Sequence, residues 1–241
     1  MKKFFLFLLL ISSFFLSGCT YVMYENAAEG RALNRYIQRD LFRHDNFTTY
    51  VNDIYKKHVQ QTLKVEYTIT PLFGESQVTY LTATIIEQSS SSNYVYAIMP
   101  LMPIDATIGT KTGVIVYDYV NDDYTAAIID LSEELGIMLI RYKTATTTYT
   151  LANNRTIIFP LEGQVVSVVG AQNQTNNRVE LGIIDQVDQA FIYIRSSSEQ
   201  SGNGSVVLNI YYEWIGIQIA VDGNIIKVIP AETIIDWINS R

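Results

Sequence analysis

From Val65 onward, short apolar runs alternate with polar turn clusters. The runs are rich in valine, isoleucine, threonine and tyrosine, which suit half-buried strands. They read VEYTIT, QVTYLTATII, NYVYAIM, TGVIVYDYV, YTAAIID, GIMLIRYK, QVVSVVG, RVELGIID, AFIYIR, SVVLNI, EWIGIQIA and NIIKVI. Clusters such as SSSSN, QNQTNN and GNG separate them and are typical of turns. Roughly a dozen short strands, with helix confined to the ends, predict an all-β domain.

Residues 20–64 have a different pattern, which predicts helices. The stretch 28–43 is expected to form a polar helix, and a second helix is expected to begin at a cap on Asp45 or Asn46. One face of that second helix is predicted to carry Val51, Ile54, Tyr55 and His58. The segment has two interpretations: a spacer that lifts a domain from a membrane, or a docking helix for a partner.

The C-terminal segment PAETIIDWINSR predicts a short capping helix. Its apolar positions recur at helical spacing, so one face is expected to lie against the strands. The residues on that face are Ile234, Ile235 and either Trp237 or Ile238.

The N-terminus, MKKFFLFLLLISSFFLSGC, is typical of a secretory signal. Its apolar run from Phe4 to Leu16 is short for a membrane-spanning helix, although an N-terminal membrane anchor is the alternative interpretation. The tetrapeptide ending at Cys19 resembles the lipobox of bacterial lipoproteins, which implies that Cys19 carries lipid and becomes the first mature residue. The resemblance implies an extracytoplasmic protein, lipid-anchored to the bacterial cell membrane. Because Cys19 is the only cysteine, no intrachain disulfide is possible.

The charge of the chain is acidic and argues against nucleic acid as a partner. Removal of the signal takes away Lys2 and Lys3, so the formal net charge moves from −7 to −9. Phosphate recognition requires a basic surface. The acidic turn from Asp118 to Asp123 is predicted to be a solvated hairpin tip, since a calcium loop needs more oxygen ligands at fixed spacing. The sequence has no metal-ligand cluster of histidine and cysteine and predicts no cofactor.

Six segments, in order, resemble the trypsin-like serine proteases of the HtrA/Deg group. FIYIRSSSEQSGNGSVVLN aligns without gaps on that family's nucleophile loop, and YYEWIGIQIA follows as its next strand. LTATIIEQSSSSNYVYAIMPLM, VIVYDYVNDDYTAAIIDLSEELGIMLIRY, QVVSVVGAQNQTNNRVELGIID and KVIPAETIIDWI resemble its other core segments. The resemblance implies a trypsin-like double six-stranded β-barrel, with an N-terminal helical segment and a short C-terminal helix. Because no PDZ-sized extension follows, the protease-like domain alone is expected. An unrelated β-sandwich or barrel is the alternative fold.

The resemblance also implies three parts of the chain. Residues 1–18 are the lipoprotein signal peptide, residues 19–64 are the lipidated N-terminus and helical spacer, and residues 65–241 are the double-barrel domain.

Each position of the family's catalytic triad holds a residue that lacks the required chemistry. The histidine position falls on Pro100, the aspartate position on Gly136 and the serine position on Asn203. The mechanism needs a nucleophile, a base and an acid that orients the base. The loop of Ser201, Gly202, Asn203, Gly204 and Ser205 is expected to keep an oxyanion-like backbone. The resemblance therefore implies a degenerate protease without a catalytic residue.

Other serine, histidine and lysine residues are not expected to replace the triad. Ser201 and Ser205 flank Asn203 but are typical turn serines. His44 and His58 precede the first predicted strand, and no histidine follows them. A serine–lysine pair would need a buried lysine, whereas the available lysines stand in turn-like or strand-edge contexts. These lysines are Lys111, Lys143 and Lys227.

The sequence thus favours a lipid-anchored, non-catalytic protein that binds a peptide or protein, or scaffolds a surface complex. Two alternatives stay open: an active serine endopeptidase with displaced catalytic residues, and a structural lipoprotein or adhesin of unrelated β fold. Many tyrosines lie in the predicted strands, where they either pack with their hydroxyls at the surface or form a recognition face.

Overall fold

The computed structural model describes residues 47–89, 91–104, 110–144, 149, 160–171, 177–196 and 202–241. Helix α1 (Phe47–His58) and a short 3₁₀ helix (Val59–Gln61) lead into the first group of strands. These are β1 (Thr62–Thr70), β2 (Gln77–Gln88), β3 (Tyr94–Pro100), β4 (Lys111–Tyr117), β5 (Asp123–Ser132) and β6 (Ile137–Lys143). The second group is β7 (Val165–Ala171), β8 (Asn177–Val187), β9 (Ile192–Ser196), β10 (Val206–Asn209), β11 (Trp214–Asp222) and β12 (Ile225–Pro230). Helix α2 (Ala231–Asn239) follows β12.

The first six strands form a closed antiparallel barrel in the order β1-β2-β3-β6-β5-β4. Alternate residues of each strand point into it, as the period of two in a pleated strand requires. On β1 these are Leu63, Val65 and Tyr67, and on β4 they are Val114 and Val116. Their side chains fill the barrel, so the hydrophobic effect closes it.

The last six strands form a second closed antiparallel barrel in the order β10-β11-β12-β9-β8-β7. Its interior is lined by short branched side chains, which suit a narrow barrel. These are Val166, Val168, Ile184, Ile192, Ile194, Val207, Ile215, Ile226 and Val228.

Two six-stranded antiparallel barrels with a helix at each end fit a trypsin-like double-barrel fold. The predicted fold class is therefore confirmed. Strand β1 begins at Thr62, three residues before the start of the predicted domain.

Helix α1 packs on the second barrel through a face that the sequence predicted only in part. Ile54 and His58 are buried as expected, but Tyr55 is exposed. Tyr50 is buried instead, because the spacing from Tyr50 to Ile54 and His58 is four residues and brings all three onto one helical face. The Tyr50 hydroxyl lies 3.2 Å from Ser167 Oγ on β7. Helix α1 belongs to the same compact unit as the two barrels.

Helix α2 packs on β11 and β12 of the second barrel, and the C-terminal residue that follows it reaches the first barrel. Ile234 is fully buried, as predicted, and Trp237 is half-buried with the Arg241 guanidinium 4.6 Å from its ring centroid. Arg241 also forms an ion pair with Asp130 on β5. The C-terminal residues therefore connect the two barrels.

The acidic turn between β4 and β5 is exposed at Asn121, Asp122 and Asp123, as the sequence predicted, but not at Asp118. Asp118 is only 1% exposed. Its Oδ1 accepts hydrogen bonds from the backbone N–H groups of Val120 (2.9 Å) and Asp122 (3.0 Å), and its Oδ2 accepts one from the Tyr149 hydroxyl (3.3 Å). A buried carboxylate with these partners is satisfied, so Asp118 stabilises the turn from within.

Candidate functional site

The loop that precedes β10 lies at the junction of the two barrels. It belongs to the second barrel, yet two hydrogen bonds attach it to β2 of the first. The backbone N–H of Thr82 donates to the Asn203 carbonyl at 2.8 Å, and Thr84 Oγ1 donates to the Gly204 carbonyl at 2.9 Å. Since Thr82 and Thr84 are buried, these bonds form away from water and fix the position of the loop.

The same loop is also held by β11 of its own barrel. The Gly204 N–H donates to the Gln218 carbonyl at 2.7 Å, and the Gln218 N–H donates to the Ser205 carbonyl at 3.0 Å. The Gln218 side-chain amide lies 3.5 Å from Asn203 Oδ1. Asn203 is exposed, so the loop presents this side chain to solvent from a backbone that is bound on both sides.

Gly204 lets the loop approach the first barrel closely. Its φ is +95°, which favours glycine. A Cβ at this position would overlap the Thr82 carbonyl oxygen and would lie 2.9 Å from Pro100 Cδ. The glycine that follows Asn203 is therefore required by the contact between the barrels.

The structure brings together the three positions that the sequence assigned to a degenerate triad. Pro100 is the last residue of β3 and pairs with Ile137 of β6. The next residue, Leu101, donates its N–H to the Gly136 carbonyl at 2.8 Å, which places Gly136 beside the end of β3. Pro100 is buried and lies against Gly204, the neighbour of Asn203. The three positions thus meet at one side of the barrel junction.

The described residues at this junction offer no proton relay among themselves. Proline has no side-chain base, glycine has no side chain, and the amide of Asn203 is not a nucleophile. Ser205 is buried, and its Oγ donates to the Gly202 carbonyl at 2.5 Å, within its own turn. Ser201, the first residue of the predicted oxyanion-like loop, lies outside the described residues, as does Cys19.

Of the two histidines, only His58 falls within the described part of the chain. Its ring stacks on Tyr212, with centroids 5.4 Å apart, in the turn after β10. Asn203 lies before β10 and Tyr212 lies after it, and a strand of four residues spans about 13 Å. His58 is therefore stacked beyond the end of β10 that is farther from Asn203. Burial lowers the pKa of His58; Lys57 lowers it further and Gln61 opposes the shift. His58 is therefore a packing residue between α1 and the second barrel.

Beyond the loop, one side of β11 has no strand partner among the described residues. β10 covers β11 only from Trp214 to Ile217, and the loop covers Gln218. From Ile219 to Asp222, β12 is the partner of β11 among the described residues. The register of β11 against β12 shifts between Gln218 and Ala220, which is typical of a β-bulge. The alternating sequence gave no sign of it, because a bulge depends on the partner strand.

The candidate residues do not combine into a metal centre in the described part of the chain, where no group of three or more His, Cys, Asp or Glu side chains could hold an ion. No helix among the described residues is long and apolar enough to span a bilayer.

Comparison with known proteins gives no family name. No protein-family model matches the chain, and no curated protein matches it significantly. The fold alone therefore defines the class: a protein of two six-stranded antiparallel barrels that fits the trypsin-like architecture.

Proposed function

We propose that this chain is a non-catalytic, HtrA/Deg-like surface lipoprotein that binds extended peptide segments of other proteins. It is held on the extracytoplasmic side of a bacterial membrane by lipid on Cys19. The convergence of Pro100, Gly136 and the Asn203 loop at the barrel junction carries the proposal. The resemblance assigns these positions to a triad, and the absence of acid–base or nucleophilic side chains on Pro100, Gly136 and Asn203 supports the proposal.

The pairing of β11 supports the proposal that the chain binds peptides. An extended peptide can add a strand to an exposed sheet edge, and its affinity then comes from main-chain hydrogen bonds. Among the residues that the structure describes, one side of β11 from Ile219 to Asp222 has no partner strand and offers such an edge, directly after the loop that holds Asn203. A peptide laid there would pass the junction without meeting a nucleophile.

The chemistry of this edge defines the class of ligand. Main-chain recognition accepts many sequences but requires an extended conformation. Ala220 and Asp222 are exposed, while Val221 packs against the barrel core, so the edge is firmly supported. Unfolded or flexible segments of proteins are therefore the expected ligands, rather than folded domains.

Backbone-methylated peptides test the binding mode. Fluorescent casein peptides are titrated into the full chain by anisotropy, and the tightest binder is then remade with N-methyl groups on alternate residues. Methylation of one alternating set should weaken binding by about tenfold or more, because each group removes a donor that faces β11. Methylation of the other set is the matched control and should have little effect. Equal effects of both sets would exclude strand addition.

The lipid anchor is tested separately. The wild-type chain should fractionate with membranes and incorporate labelled fatty acid, and Cys19→Ser should lose both properties, because stable anchoring requires acyl chains. A Cys19→Ser chain that stays in the membrane fraction would indicate an N-terminal membrane anchor instead.

A further inference from the structure

Helix α1 is held on the second barrel by the three buried side chains among its described residues. Tyr50, Ile54 and His58 are at most 6% exposed and follow one another at intervals of four residues. The helix packs on β8, and the Tyr50 hydroxyl lies 3.2 Å from Ser167 Oγ on β7. Ser167 is fully buried, and its two neighbours on β7 point into the barrel core, so it lies on the outer face of the barrel, beneath α1. His58 is therefore one of three side chains that attach the helix.

The turn after β10 presents a fixed aromatic ring to His58. Tyr212 in this turn has a φ of +66°, and its N–H donates to the Asn209 carbonyl at 3.0 Å. Its ring stacks on His58 and on Tyr50, with centroids 5.4 Å and 6.0 Å apart. The Lys57 ammonium lies 4.8 Å from the centroid of the same ring. The imidazole thus lies against an aromatic ring that already has a cation beside it.

The surroundings of His58 favour the neutral imidazole. Within the described part of the chain, neither of its ring nitrogens has a hydrogen bond that meets normal geometry. Protonation would place a charge and a second N–H donor in a site that is almost closed to solvent, which is unfavourable. Burial is accordingly the main cause of the lowered pKa of His58; Lys57 adds to the shift, and Gln61 opposes it only in part.

The other charged groups near α1 do not compensate for a protonated His58. Strand β7 has no charged residue. On α1 itself, Asp53 lies five positions from His58, on a different side of the helix. The carboxylates of the other neighbouring elements each bond to another side chain: Glu180 and Asp185 of β8 to residues of β9, and Glu213 of the turn after β10 to Asn209. The remaining charged groups are cations: Lys56 and Lys57 on α1 and Arg178 on β8.

The two barrels close without α1, so the helix can leave while they stay folded. Each barrel is completed by pairing among its own six strands. A helix of 12 residues is marginal by itself in water and depends on packing for its stability. Elements at the edge of a structure open locally at a lower free energy than the core. Loss of one attachment therefore affects α1 before it affects the barrels.

We propose that α1 is an acid-sensitive latch: protonation of His58 releases the helix from the second barrel while both barrels remain folded. In the released helix the imidazole is in water and binds a proton more readily, so acid shifts the equilibrium towards release. The 12 residues of α1 span about 18 Å as a helix and up to about 40 Å when extended. Release thus lengthens the connection between Cys19 and the barrels, a consequence that rests on the proposed lipid anchor.

Thiol labelling of the full chain in detergent tests the latch. Ser167→Cys is made in the Cys19→Ser chain, so that the sole thiol lies beneath Tyr50. Its rate of reaction with a dipyridyl disulfide is divided by the rate for glutathione at the same pH. This ratio should rise by about fivefold or more from pH 7.5 to pH 5.5, because the equilibrium changes by up to about tenfold per pH unit between the two pKa values.

Two controls separate the latch from unfolding of the whole protein. His58→Phe in the same Ser167→Cys chain cannot bind the proton, so its labelling ratio should not change with pH; His58→Leu serves the same purpose if the phenylalanine variant does not fold. Ala97→Cys, in the core of the first barrel, should stay protected at both pH values.

Three results would overturn the latch. They are a constant labelling ratio for Ser167→Cys, an equal rise when His58 is replaced, and exposure of Ala97→Cys at the same pH as Ser167→Cys. None of these measurements involves lipid or a bound peptide, so each of these results would leave the proposed function untouched.

Discussion

The ring of Pro100 lies against Gly204, so closely that a Cβ on the glycine would stand 2.9 Å from Pro100 Cδ. Pro100 ends a strand of the first barrel, and Gly204 follows the exposed Asn203 in a loop of the second. The two residues meet at the barrel junction, beside the positions that the sequence resemblance assigned to a base and a nucleophile. The contact is apolar and tightly packed, which favours a structural role for this part of the junction.

Gly204→Ala should destabilise the protein by about 3 kcal/mol, because it combines an unfavourable positive φ with overlap on Thr82 and Pro100. Urea unfolding followed by tryptophan fluorescence measures the change. Gly223→Ala is the control: its φ is also positive, but nothing lies within 4 Å of the added Cβ, so about 1 kcal/mol is expected. Equal losses in the two variants would mean that the barrels do not meet closely at Gly204.

Asn203→Ser should not produce a protease. The new hydroxyl would have Pro100 where a base is needed, and loss of the base costs roughly 10⁶-fold in rate. Release of dye from labelled casein should stay at the level of buffer for the wild type and the variant. A variant that cleaves casein would show that another residue acts as the base.

Tyr50→Phe should lower the free energy of unfolding by about 1 kcal/mol, because it removes a buried hydroxyl contact to Ser167 between α1 and the second barrel. Burial raises the pKa of Tyr50 to about 12, so its hydroxyl is neutral across the physiological range. Tyr55→Phe changes an exposed tyrosine of the same helix and should be neutral. If both variants unfold alike, the helix does not pack through Tyr50.

Stability should decrease in weak acid through His58. Its pKa in the folded protein is below 6.5, so between the two pKa values the unfolded chain binds a proton that the folded chain does not. The contribution is therefore complete above pH 6.5 and is lost as the pH falls towards the folded pKa. Urea unfolding at several pH values from 8 to 5 measures this loss, and His58→Phe, which retains an aromatic ring beside Tyr212, should reduce it. An unchanged pH dependence in the variant would assign the loss to other groups.

The strands were predictable because their pattern is local. The run QVVSVVG alternates small and branched residues, and the structure places Val166 and Val168 in the core of the second barrel. The C-terminal helix was predictable for the same reason, since Ile234 lies on an apolar face with helical spacing. The order of these segments, rather than any one of them, predicted the double barrel.

Features that depend on contacts between distant parts of the chain were not predictable. The local sequence of Asp118 is typical of a surface residue. Its carboxylate nevertheless accepts a hydrogen bond from the Tyr149 hydroxyl, 31 positions away, and the local sequence does not indicate this partner. The sequence predicts Tyr55 on the buried face of α1, whereas the structure buries Tyr50. The Tyr50 hydroxyl contacts Ser167, which lies 117 positions away, so the sequence of the helix alone does not indicate this partner. In the described part of the chain, the pairing of β2 with β3 and of β11 with β10 covers only part of each strand. These limits depend on where the neighbouring strand ends, which a strand's own sequence does not record.

The central claim is that the barrel junction binds without cutting. The most direct measurement combines casein digestion with labelling by a serine-directed fluorophosphonate on the purified full chain, read by mass spectrometry. We predict intact casein and an unlabelled protein after prolonged incubation. Casein fragments that disappear when Ser201 or Ser205 is changed to alanine would contradict the account and establish an active serine endopeptidase.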